Sequence, residues 1–173
     1  MKQFALLLLF LTLTACGFQP MYGKNRYESV GVESHLSLIQ IGNIPNREGQ
    51  YLRNLLIDRF YRNQRPPETL YSLRIDPIRE SVIDLDITAT SDSTRGQLRM
   101  ESVMTLIDSR TNAVLLERKI SGITSFNILP SEFTNRVSEQ NARENVLNDL
   151  AGQIERQLNL YFKRDNATEQ TPQ

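Results

Sequence analysis

Between Leu70 and Phe126 several stretches carry apolar residues at alternate positions, and this alternation limits the possible folds more than any other feature. Side chains along a strand point to opposite faces in turn, so a period of two describes a sheet with one buried and one solvated face. Tyr71, Leu73 and Ile75 share odd parity with Ile83, Leu85, Ile87 and Ala89. That parity predicts one long strand over Leu70–Ala89, irregular around Pro77, with all of these on one side; two shorter strands are the alternative. Thr90–Gly96 is a polar, turn-like tip, and Leu98, Met100, Met104 and Leu106 mark one face of a third strand. Asp108-Ser109-Arg110-Thr111-Asn112 turns the chain again. A fourth strand, Ala113 to Phe126, puts Val114, Leu116, Ile120 and Phe126 on one face and Glu117, Lys119, Ser121 and Ser125 on the other.

The flanks have other periods. Leu36–Ile44 is a short β-rich apolar run ended by Pro45-Asn46, which predicts the first strand. Leu52, Leu55, Leu56 and Phe60 recur at helical spacing, which predicts an amphipathic helix over Glu48–Asn63, stopped before Pro66-Pro67. A second helix is expected from an N-cap at Ser131 to Phe162, with Leu147, Leu150, Ala151, Ile154, Leu158 and Tyr161 on one stripe. The expected fold is α+β: a four-stranded, mostly antiparallel sheet with two helices packed on one face, in the order β-α-β-β-β-α.

The N-terminus addresses location. Lys2, an apolar run from Phe4 to Leu13 and the small residues Thr14 and Ala15 precede Cys16, the layout of a secretory signal peptide. About ten apolar residues fall short of the roughly 20 that span a bilayer. Leu13-Thr14-Ala15-Cys16 resembles the bacterial lipobox. That resemblance implies cleavage before Cys16 and a diacylglycerol and N-acyl lipid on it, a multi-chain anchor where one chain holds only weakly. The residue after it is Gly17, not an aspartate, which fits outer-membrane sorting. The expected organisation is a signal peptide over 1–15, a lipidated tether over 16–34, an α+β domain over 35–164 and a polar tail over 165–173. Lys plus Arg (20) balances Asp plus Glu (20). A nucleic-acid-binding surplus of positive charge is therefore absent.

Catalytic chemistry is poorly represented. His35 is the only histidine, so an enzyme reading would have to use it as its sole imidazole base. No phosphate-cradling P-loop, nucleophile elbow or zinc-protease motif occurs. Asp84 and Asp86 share a strand face, but two carboxylates fall short of the six to eight oxygens a calcium ion takes. The expectation is no enzyme, no metal and no cofactor apart from the lipid.

With this element order and the start Cys16-Gly17-Phe18-Gln19-Pro20-Met21-Tyr22-Gly23, the chain resembles the LptE family of lipopolysaccharide-assembly lipoproteins, most closely its alphaproteobacterial type. The resemblance spans the mature chain, including the helix ending Leu158-Asn159-Leu160-Tyr161-Phe162. It implies a non-catalytic partner of the outer-membrane β-barrel LptD, which it plugs and helps assemble, and a binder of lipopolysaccharide, lipid-anchored on the periplasmic side. A ligand with phosphates and acyl chains calls for Arg or Lys beside apolar side chains. Arg95 and Lys119 are the candidates for that contact, with Arg99 and Arg74 as possible extensions and Arg118 as a structural residue. The alternative is a lipoprotein that scaffolds another envelope complex without a lipid ligand.

Overall fold

Alternation and helical periodicity place nearly every element, and pairing then decides which face each strand residue takes. The computed structural model describes residues 35–61, 68–87 and 93–169, all within one compact unit, Gly31–Gln173. Cys16 and the segments expected to be signal peptide and tether lie outside the described residues. The order is β1 (Ile39–Ile41), α1 (Asn46–Phe60), β2 (Tyr71–Ile75), β3 (Arg79–Ile87), β4 (Ser93–Asp108), β5 (Val114–Asn127) and α2 (Glu132–Glu169). The α+β class holds, with five strands in one sheet. β1 pairs with β2 in parallel, and every other pairing is antiparallel.

β4 organises the sheet. Its C-terminal half pairs with β2 and its N-terminal half with β3, so these two lie end to end along one edge while β5 runs along the other. The four-strand expectation thus gives the correct number of positions across the sheet, one of them filled by two strands.

The join between β2 and β3 overturns the predicted parity. Ile75 pairs with Met104 and Arg79 with Glu101, so three residues, Asp76 to Ile78, face two, Ser102 and Val103. One extra residue is a β-bulge, and it moves every later side chain to the other face. The Asp76 N–H donates to Val103 O (3.0 Å) and the Ser102 hydroxyl to Asp76 O (2.7 Å), which fixes the bulge. Pro77, with no N–H to give, sits where the ladder is interrupted. Leu73 and Ile75 therefore face the helices with Leu106 and Met104, whereas Ile83 and Leu85 face away from them, opposite Gln97 and Arg95. A second bulge, at Leu115, turns Val114 to the outer face, while Leu116, Ile120 and Phe126 keep the expected side.

Both helices contribute to one core on the other face. Leu52, Leu56 and Phe60 of α1, Val146, Leu147, Leu150, Ala151, Ile154 and Leu158 of α2, and Leu98, Met100, Met104 and Leu106 of β4 are all buried in it. Full burial of such a side chain contributes about 1.5–3 kcal/mol. A Cβ on Gly122 would lie 2.8 Å from Val146 Cγ1, so the absent side chain lets α2 approach β5. Across the helix pair Arg59 meets Glu155 at 3.0 Å. α2 also passes the expected end at Phe162 and continues through Glu169, into the segment expected to be a polar tail. The first strand is shorter than expected because residues 35–37 are helical and Asn46, at φ 68°, already begins α1. Asparagine tolerates that left-handed turn better than most residues.

Candidate functional site

Among the described residues no helix covers the outer face of the sheet, and its side chains follow directly from the register. Along β4 the outward residues are Arg95, Gln97, Arg99, Glu101, Val103 and Thr105. β3 sets Leu85 opposite Arg95, Ile83 opposite Gln97, Ser81 opposite Arg99 and Arg79 opposite Glu101. From β5, Asn127, Ser125, Ile123, Ser121, Lys119 and Glu117 stand opposite the same β4 residues in turn. Arg74 of β2 joins them opposite Thr105. Ile83 and Ile123 are about half exposed, at 49% and 50%. Large aliphatic side chains left in water among guanidinium groups form a surface that is both cationic and apolar.

The two first-rank candidates are on this face but not together. Arg95 is not in the tip but in β4, opposite Asn127, because the strand already begins at Ser93. Lys119 stands opposite Val103, eight β4 residues from Arg95, or about 27 Å at ~3.4 Å per residue. No single phosphate reaches both. Lys119 also has a partner, the Glu101 carboxylate at 2.7 Å. Arg99 lies between them, and Arg79 joins from β3. The Lys119 ammonium, and more weakly Arg79 and Arg99, hold the Glu101 carboxyl below its usual range.

Arg79 and Glu101 were missed by sequence reasoning. Their spacing carries no signal, and only the register after the bulge brings them together. Arg118 faces the helix side on the outermost strand and donates to its neighbour's carbonyl, Glu117 O (2.9 Å). It borders, with Leu116, Tyr161 and Arg164, an open cleft of about 330 Å³ beside the end of α2.

The remaining candidates fall elsewhere. The His35 ring stacks on Phe162, with centroids 4.9 Å apart, and Tyr71 and Tyr161 pack on the same phenyl ring. It is part of an aromatic cluster with Tyr71, Tyr161 and Phe162. Asp84 stands opposite Gly96 on the helix-side face, beyond the bulge. Asp86 lies within β3, and its side chain is outside the described residues. Among the described residues no group of three or more His, Cys, Asp or Glu could hold a metal ion, and no helix is long and apolar enough to cross a membrane.

No protein-family model and no curated protein matches the chain. Solved structures do. A protein of Caulobacter crescentus CB15 classed as a lipoprotein superimposes with a TM-score of 0.63 at 21% identity, over 78% of this chain and 97% of that one. A minor lipoprotein of Acinetobacter baumannii gives 0.53 at 19% identity, over 70% and 90%. The rare lipoprotein B of Shewanella oneidensis gives 0.51 at 11%, over 76% and 93%. At such identities the likeness establishes the fold, and the fold is one that these bacterial lipoproteins share.

Proposed function

We propose that this chain is an outer-membrane lipoprotein, held on the periplasmic side by acyl groups on Cys16, that works without catalysis as an LptE-type partner of an LptD-type β-barrel. It assists assembly of that barrel, fills its lumen and binds lipopolysaccharide on its way to the outer leaflet. One observation carries the reading: a sheet face that no described helix covers and that sets Arg79, Arg95, Arg99 and Lys119 around the exposed Ile83 and Ile123. A ligand with phosphates and acyl chains needs both kinds of contact on one surface. The lumen of a wide barrel is polar, which suits a charged sheet face better than lipid would. The lipobox-like segment and the fold shared with bacterial lipoproteins support the same location.

The test is affinity purification of the acylated protein from detergent-solubilised outer membranes. Recovery of a large β-barrel in stoichiometric amount is expected. Recovery of envelope proteins without a barrel would replace the plug with a scaffold for another complex.

A further inference from the structure

The centre of the outer face holds more charge than a simple contact surface needs. Arg79 stands directly opposite Glu101 across the β3–β4 ladder. Arg99 precedes Glu101 by two residues on β4 and so projects from the same face. Lys119 enters from β5, one pair further along, and its Nζ meets Glu101 Oε2 at 2.7 Å. Cations from three different strands thus surround one carboxylate. Glu101 is the carboxylate that all three cations face, with Glu117 flanking Lys119 on its far side; three cations against two carboxylates leave a surplus of positive charge, and like charges at such spacing repel.

We infer that Glu101 is a built-in counter-ion occupying an anion site formed by Arg79, Arg99 and Lys119, and that the phosphate of an amphiphilic ligand displaces it. The inference rests on the ligand-binding part of the function proposed above. A phosphate monoester carries more charge than a carboxylate and offers paired oxygens that match a guanidinium fork, so it can outcompete Glu101 where a carboxylate ligand cannot. The geometry permits the exchange. The Lys119 side chain is 66% exposed and can leave Glu101 without unpacking anything, while Glu101 is 27% exposed and stays anchored to the central strand. Ile123 stands opposite Arg99, and Ile83 lies opposite Gln97, the next outward residue of β4. Those two residues place the apolar part of the ligand on the side of the cluster towards the β3–β4 tip. Glu101 then acts as a selectivity filter that rejects weakly charged lipids.

Two probes separate this inference from the reading beneath it. Acylated protein in detergent is titrated with lipid A, which carries phosphates and acyl chains, and with inositol hexakisphosphate, which carries phosphates alone. Glu101→Gln keeps the shape and removes the competing charge, and should tighten binding of both probes by about two- to fivefold, the scale of one partly solvated charge pair. The gain should vanish in a Glu101→Gln/Arg79→Gln/Arg99→Gln protein, and Lys119→Met alone should weaken binding. If Glu101→Gln tightens inositol hexakisphosphate but lipid A does not bind, the anion site stands and the lipopolysaccharide role falls. If Glu101→Gln leaves both affinities unchanged or lowers them in a protein that unfolds at the wild-type temperature, the counter-ion role is overturned.

Discussion

β2 and β3 lie end to end against the same edge of β4, yet they turn opposite kinds of side chain toward the helices. β2 turns Leu73 and Ile75 to the helices, where both are buried. β3, one bulge later, turns Glu80, Val82 and Asp84 that way and leaves Ile83 and Leu85 on the outer face. The helix side of β2 is apolar core. The helix side of β3 is held instead by an ion pair, Arg143 of α2 gripping both Glu80 oxygens at 2.9–3.2 Å. A single inserted residue thus separates an edge strand whose apolar residues join the core from one whose apolar residues Ile83 and Leu85 face away from the helices.

The largest test of that division is a pair of truncations. Leu73→Ala removes a fully buried side chain and should cost about 2–5 kcal/mol in denaturant unfolding. Ile83→Ala, at a site half exposed, should stay within about 0.5 kcal/mol while weakening lipid A binding. Equal losses at the two sites would mean that both halves belong to the core.

The sequence made part of this contrast legible and hid the rest for a physical reason. Helical spacing identified Leu52, Leu56 and Phe60 in α1 and Leu147 to Leu158 in α2, because a stripe on a helix is local information. The even residues of β4 were legible for the same reason. The face of β3 was not, since Ile83 and Leu85 look the same whether or not one residue has been inserted upstream. Pro77 signalled an irregularity without giving its size. The anion cluster was hidden more deeply. Arg79, Arg99 and Lys119 come from three strands, and only the register around Glu101 makes them neighbours.

The bulge itself is the next target. Ser102 is buried, 6% exposed, and its hydroxyl donates to Asp76 O. Ser102→Ala strands that carbonyl and should cost about 1–2 kcal/mol. If the bulge separates the halves, amide exchange should quicken at Val82 and Ile83 more than at Leu73. Uniform loss of protection would mean that the bulge has no special role. A smaller effect is expected from Glu80→Gln, which weakens the grip of Arg143 on β3. Glu80 is what chiefly raises the guanidinium's already high pKa, and Glu139 adds to it. A partly solvated pair of this kind is worth about 0.5–1 kcal/mol, and the loss should shrink in high salt, whereas the Leu73→Ala loss should not.

The smallest effect sits at the end of the sheet that belongs to β2, where Asp108 pairs with Tyr71 and begins the turn into β5. Its Oδ1 accepts the N–H groups of Arg110 and Thr111, both at 2.8 Å, and Asn112 takes a left-handed φ of 57° to complete the turn. Those backbone donors, Thr111 first, hold the carboxyl below its usual range, with the Arg110 charge adding a little. A depressed carboxyl pKa contributes to the turn wherever the group is ionised, and the contribution disappears as the pH falls through the folded value. The amide shifts of Arg110 and Thr111 should therefore titrate with a midpoint below that of an ordinary aspartate. Asp108→Ala should abolish that titration, while Asp108→Asn, whose amide oxygen still accepts both bonds, should keep the turn without it. A titration centred at an ordinary aspartate pKa would show that the carboxylate does not hold the turn, and that β4 and β5 are joined by their ladder alone.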